Sequence, residues 1–195
     1  VGSVLGVLGP NGAGKTTTIN ILSTLIQPST GRAVVTGYDV VKQAKQVRAS
    51  IGLTGQYAAV DELLTGRENL ILFARLRGLG KSAAAVRVGE LVAELELDQI
   101  VQRRTDRCST GQLQQLAFAR ALVGDPGAIL LDEPTRSLDE EARERMWAAL
   151  GRRADAAVVI VSHLADDAAR ATRVLAVLAQ AAHRVVFVQA LLRLG

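Results

Sequence analysis

The sequence predicts an α/β fold in which a mostly parallel sheet carries helices on both faces and a purely helical segment is inserted midway. Three observations lead there. Short runs rich in β-branched residues alternate with segments of helical periodicity along most of the 195 residues, the pattern of a parallel sheet with helical crossovers. Three of those runs, SVLGVL (3–8), AILLD (128–132) and AVVIVS (157–162), are almost wholly apolar, as strands covered on both faces must be. From about residue 65 to 123 the strand pattern stops and only helical patterns remain. The chain therefore divides into a first part of the α/β core (1–64), a helical subdomain (65–123) and a second part of the core (124–195).

Taken in order, the other strand candidates are AVVTG (33–37), SIGLT (50–54), RVLAVL (173–178) and RVVFV (184–188). The helical segment reads GRENLILFARLRGL, then SAAAVRVGELVAELEL, then RCSTGQLQQLAFARAL. In the last of these, Ser109 is a good N-cap, and Leu113, Leu116, Ala117 and Ala121 recur at helical spacing as a buried face. Further on, DEEARERMWAAL (139–150) has acids in its first turn and arginines later, with Ala142, Met146 and Leu150 along one side. Dipole compensation and an amphipathic face account for that helix.

Composition narrows the function classes. A hydrophobic fraction of 49% and a mean hydropathy of +0.22 argue for a packed globule and against disorder. The charge, 23 basic against 19 acidic residues, is too evenly balanced to point to nucleic acid. One cysteine, Cys108, excludes an internal disulfide framework and a cysteine-based zinc site. The most apolar stretch, VLAVLAQAAHRVVFV (174–188), is broken by Gln180, His183 and Arg184 and falls short of the roughly 20 residues a membrane helix needs. The chain opens without Met, inside a strand-like run and with no secretory signal, which suggests a protein that begins earlier.

Chemistry concentrates in two places. VLGPNGAGKTTT matches GxxxxGK[ST] as Gly9, Pro10, Asn11, Gly12, Ala13, Gly14, Lys15 and Thr16, with Thr17 following. It comes directly after an apolar strand and before a helical run, the context of a P-loop. Glycines let successive N–H groups curl around phosphate oxygens, Lys15 neutralises β- and γ-phosphates, and Thr16 offers a hydroxyl to Mg²⁺. AILLDEPT puts Asp132 at the carboxyl end of a buried strand, where ligands of open α/β sheets gather. Asp132 can hold Mg²⁺ there, and adjacent Glu133 can act as a base toward water. The fold expectation is thus a P-loop NTPase core.

Together, GPNGAGKTTT, GLTGQYAAVDELLTGRENL, CSTGQLQQLAFARAL, ILLDEPTRSLD and VIVSH resemble the ATP-binding cassette (ABC) family, the ATPase subunits of ABC transporters. TGQYAAVDELLTGRENL is similar to the branch serving drug and polysaccharide export. The resemblance implies an ATPase that uses ATP and Mg²⁺, works as a homo- or heterodimer with a second ATPase subunit, and sits at the cytoplasmic face of the membrane on an integral membrane partner. It places Gln56 on the Q-loop, where the family's glutamine touches Mg²⁺ or water and senses the partner. Ser109, Gly111 and Gln112 fall on the signature motif, which binds the γ-phosphate of an ATP held by the other subunit. Asp139 falls on the D-loop aspartate and His163 on the switch histidine that contacts the γ-phosphate.

Three features depart from that pattern. Cys108 and Thr110 stand where the signature usually has Leu and its first Gly, and Arg136 stands where a small residue is usual. The aromatic residue on which the family stacks adenine precedes the P-loop and is not in this sequence. Two other readings compete with transport: a cassette ATPase acting on DNA or the ribosome, and a nucleotide-binding module that no longer hydrolyses. A short helical insert and a single P-loop argue against the first, and Gln56, Glu133 and His163 argue against the second. Elsewhere the bland explanations suffice: Arg103, Arg104 and Arg107 read as a solvated face, His183 as a surface residue, and Cys108 as a small apolar residue at a helix entry.

Overall fold

A computed structural model describes residues 3–10, 12–55 and 60–176. Five parallel strands form its sheet: β1 (Val4–Leu8), β4 (Ile51–Thr54), β5 (Ala128–Asp132), β6 (Ala157–Ser162) and β7 (Arg173–Ala176), in the order β4-β5-β6-β1-β7. The three strands predicted to be central are the three interior ones. The predicted strand at 173–178 is described as far as Ala176, and that at 184–188 lies outside the described residues.

The run at 33–37 does not join this sheet. It yields only β2 (Val34–Val35), which pairs antiparallel with β3 (Tyr38–Asp39). The reason is local: Thr36 (φ 49°) and Gly37 (φ 83°) both have positive φ, so the chain reverses after two strand residues in a tight hairpin of the twist-compatible kind.

The sheet is filled on both sides by alternation. In β5, Ile129 and Leu131 face one core while Ala128 and Leu130 face the other; Val158 and Ile160 of β6 oppose Ala157, Val159 and Val161 in the same way. Side chains of successive strand residues point to opposite faces, so an all-apolar strand is satisfied only when both are covered. One cover is α1 (Lys15–Leu22) and α2 (Ala44–Ser50), through Ile19, Ile21 and Val47. The other is α4 (Lys81–Glu94), α6 (Thr110–Leu122) and α7 (Glu140–Gly151), with α3 (Gly66–Leu76) and α5 (Asp98–Val101) packed in the same cluster. A final short helix, α8 (Ala165–Arg170), leads into β7.

Between β4 and β5 the chain is helical, as its periodicity predicts. Thr65 starts α3 with a capping box, accepting from Glu68 N while its own N–H is bonded by the Glu68 carboxylate. Leu116, Ala117 and Ala121 of α6 are buried as expected, and Leu113 is half-buried. The seam between these helices and the sheet is tight at Gly52 of β4, where a Cβ would stand 2.1 Å from the carbonyl oxygen of Ala121. Arg77 closes the same seam by donating to the carbonyls of Arg48, Ala49 and Ile51.

Two glycines should therefore respond oppositely to alanine. Gly52→Ala drives a methyl into backbone, and urea denaturation should show a loss of about 2 kcal/mol or more. Gly89→Ala, in α4 where a Cβ meets nothing within 4 Å, should gain about 0.5–1 kcal/mol in the same assay.

Candidate functional site

Strand register assembles the first group of candidate residues. Leu8 of β1 pairs with Ser162 of β6, and Asp132 of β5 pairs with Val161. The carboxyl ends of β1, β5 and β6 therefore lie side by side, bringing the P-loop, Asp132–Glu133 and His163 to one edge. The connections leaving β1 and its neighbour β6 run in opposite directions across the sheet, toward β4 and toward β7. Such a switch point opens a crevice for a ligand.

The P-loop turns through Gly12 (φ 80°) and Gly14 (φ 96°). No heavy atom lies within 4 Å of a Cβ at Gly12, so its backbone angle, and not crowding, calls for glycine. Gly14 caps α1 with no side-chain hydrogen bond, leaving the first N–H groups of the helix directed at the loop. Lys15 is buried, and its ammonium spans the loop by donating to Gly9 O (2.7 Å) and Pro10 O (3.0 Å). Thr16 and Thr17 are exposed on the first turn. Asn11 lies outside the described residues, as does Gln56.

Asp132 is only 3% exposed, and its Oδ1 is buried without a hydrogen-bond partner among the described residues. Burial pushes its carboxyl above the usual range; the Thr16 hydroxyl and the Lys15 ammonium pull it down, and the Glu133 carboxylate pushes it up. An orphaned carboxylate oxygen beside a threonine hydroxyl is a donor set that suits Mg²⁺, a hard cation taking oxygen ligands. These residues fit the ion that the sequence implies.

Glu133 has φ +50° although proline follows it. A residue before proline is ordinarily extended, and a left-handed conformation costs a non-glycine residue on the order of 1–2 kcal/mol. The conformation is held by Glu133 N donating to Val161 O at 2.8 Å. It sets Glu133 Oε2 2.5 Å from His163 Nδ1, with the acid 14% and the histidine 47% exposed. Apart from that imidazole, Oε2 meets no hydrogen-bond donor among the described residues. A sheltered acid thus faces an imidazole that is half open to solvent. Such a pair can orient water and carry a proton.

The second group lies elsewhere. Ser109, Thr110, Gly111, Gln112, Ser137 and Asp139 line an open cleft of about 600 Å³ whose lining, among the described residues, includes none of the P-loop, Asp132, Glu133 or His163. Ser109 and Gln112 form a reciprocal capping box: Ser109 Oγ accepts from Gln112 N (3.2 Å) and Ser109 N donates to Gln112 Oε1 (3.0 Å). Two of the predicted signature residues thereby fix the helix start. Gly111 is required sterically, because a Cβ there would lie 2.5 Å from Ser137 O. Asp139 caps α7, its Oδ1 accepting from Ala142 N at 2.8 Å. Cys108 packs half-buried against the core, donates weakly to Arg104 O at 3.6 Å, and has its thiol pushed up by burial.

Sequence reasoning missed three residues of the first group. Thr135, Ser162 and Asp167 are all buried, and Asp167 Oδ2 accepts from both hydroxyls at 2.6 Å. Nothing in ADDAAR marks Asp167 as different from its neighbour Asp166.

The strain on Asp132 has a measurable sign. Its folded-state carboxyl is raised, so ionisation is penalised in the folded protein at neutral pH, and the penalty fades as pH falls through the folded value toward the unfolded one. Asp132→Asn should therefore raise the melting temperature of nucleotide-free protein at pH 7, and the gain should vanish near about pH 4. Calorimetry across that range checks it.

The comparisons with known proteins agree with this geometry. The family model described as ABC transporter matches residues 1–136. Daunorubicin resistance ATP-binding protein DrrA2 of Streptomyces coeruleorubidus is 49% identical over 146 residues, covering 75% of this chain and 45% of that protein. Nod factor export ATP-binding protein I of Burkholderia orbicola is 37% identical over 172 residues, covering 87% and 57%. The chain thus spans less than half the length of the daunorubicin relative. Among solved structures, a dimeric ATP-binding cassette in a post-hydrolysis state, bound to ADP and Pi, superposes with a TM-score of 0.82 at 27% identity, covering 90% of this chain and 81% of that one. With its P-loop, strand-end acids and histidine gathered at one sheet edge, the chain belongs to the ABC transporter family.

Proposed function

We propose that this chain is the ATP-binding and ATP-hydrolysing part of an exporter, driving transport through a membrane-spanning partner. The observation that carries hydrolysis is the Glu133–His163 contact of 2.5 Å at the strand edge that also holds Asp132 and the P-loop. In this reading the N–H groups of the loop formed by Gly9, Pro10, Asn11, Gly12, Ala13 and Gly14, together with those of Lys15, Thr16 and Thr17, cradle the phosphates. The Lys15 ammonium leaves its loop carbonyls for the β- and γ-phosphates. Glu133 polarises a water for in-line attack on the γ-phosphorus, and His163 balances charge on the γ-phosphate oxygens. Mg²⁺, held by Asp132 and the Thr16 hydroxyl with Gln56 as a further oxygen donor, would neutralise phosphate charge.

A second ATPase subunit belongs to the proposal because the candidate residues fall into two separate groups. Among the described residues, the cleft of Ser109, Gly111, Gln112 and Asp139 shares no lining with the P-loop edge. Paired head to tail, two chains bring one group to each end of an ATP. The helical part, residues 65–123, then moves with the dimer against the core parts, 1–64 and 124–195, and passes closure to the membrane partner. Among the described residues no helix is long and apolar enough to cross a membrane, so that partner supplies the pathway. Relatives named for drug resistance and Nod factor export support export, with the cassette at the cytoplasmic face. Nucleic acid has no part in this reading.

Glu133→Gln keeps the side chain's size and removes the base. Turnover of Mg-ATP should drop about 100-fold or more, while an ATP-bound dimer accumulates on size exclusion; unchanged hydrolysis would remove Glu133 from its role. Thr110 is exposed at the first position of α6 and lines the same cleft, where a β-branched side chain limits how closely phosphate approaches. Thr110→Gly should raise ATP-dependent dimerisation a few-fold, and no rise would show that threonine fits the clamp.

A further inference from the structure

We infer that Asp167 is a positioning residue that holds Glu133 and His163 in register by gripping the two loops that carry them. The inference rests on the hydrolytic reading of that pair. Asp167 is 2% exposed and sits on α8, outside the motifs that define the site. Its Oδ2 accepts from Thr135 Oγ1 and Ser162 Oγ, both at 2.6 Å. Thr135 lies two residues after Glu133, and Ser162 immediately precedes His163. One carboxylate oxygen thus joins the loop after β5 to the loop after β6. Hydroxyl-to-carboxylate bonds of this length are among the stronger hydrogen bonds in proteins, and a buried carboxylate is retained only where such donors meet it.

The grip is transmitted in both directions. Ser162 Oγ accepts in turn from Leu164 N at 3.0 Å, closing the turn that presents His163. On the other loop Glu133 keeps its left-handed backbone, bonded to Val161 O at 2.8 Å. That conformation is costly and survives only where its surroundings over-determine it. α8 itself is anchored on α7: Arg170 pairs with Glu144 through both guanidinium nitrogens, and Arg143 lies 3.9 Å from Asp166. α7 is the helix that Asp139 caps. Asp167 therefore bonds directly to Thr135 and Ser162, neighbours in sequence of the base and the histidine, while Arg170 and Asp166 of its helix tie α8 to α7.

The test is steady-state ATP hydrolysis by the full-length protein, with nucleotide affinity measured separately by a fluorescent ATP analogue. Asp167→Ala should lower kcat about 10- to 100-fold, the scale of a misplaced reacting group, with KM and nucleotide affinity changed less than about twofold. Asp167→Asn, whose amide oxygen can still accept from both hydroxyls, should recover to within about threefold of the parent. Thr135→Val and Ser162→Ala should each lower kcat in the same manner, and adding either to Asp167→Ala should cost nothing further, because one network has already been cut. If Asp167→Ala does not fold, the Asn and hydroxyl variants decide the question. An unchanged kcat across the set would overturn the inference. So would parallel losses in kcat and affinity that multiply when the variants are combined, the signature of general packing. A parent protein that does not hydrolyse ATP would overturn the proposed function, and the inference with it; an active parent with indifferent variants would overturn the inference alone.

Discussion

Everything at the candidate site depends on the pairing of β6 with β5 on one side and β1 on the other. That register aligns Leu8 with Ser162 and Asp132 with Val161, so three strands finish within one residue of one another. A shift of one residue in either ladder would turn the alternating side chains to the wrong cores. β5 and β6 are apolar on both faces, so what opposes such a shift is the fit of large and small side chains within each core and not hydrophobicity alone. The geometry of the candidate site thus inherits its accuracy from packing well removed from it.

Around that edge the protein maintains several locally unfavourable arrangements. Asp132 is a desolvated carboxyl with an orphaned oxygen. Glu133 occupies a backbone region that its side chain and the following proline both disfavour. Lys15 is a buried cation satisfied by two carbonyls of its own loop. Each would gain from the polyphosphate and cation proposed for this site. Ligand binding relieves such a site, whereas a site already fully satisfied would have to be disrupted first.

The second cleft obeys a different logic. Its residues do structural work in the isolated chain: Ser109 and Gln112 cap α6, Asp139 caps α7, and Gly111 allows Ser137 to approach. The capping box leaves the start of α6 rigid and its remaining N–H groups outward, a suitable surface for an anion brought by another subunit. The proposed binding role would rest on the same property, since a helix start presents a fixed array of donors only when it is itself well capped.

The amino-acid sequence by itself determined the parts that rest on local pattern. Apolar runs specified the three central strands, helical periodicity specified α3, α4, α6 and α7, Gly and Lys spacing specified the P-loop, and Ser109 announced its own cap. These were legible because strand burial, helix faces and turn glycines are written in neighbouring residues. The short hairpin at Thr36–Gly37 was misread, since a run of β-formers does not reveal where positive φ will stop it. Only the tertiary structure decided that Glu133 turns left-handed toward His163, that Gly111 answers to Ser137, and that Asp167, rather than Asp166 beside it, is the buried carboxylate joining two loops. Each of those depends on residues far apart in the chain meeting across the strand ends, and no local spacing encodes such a meeting.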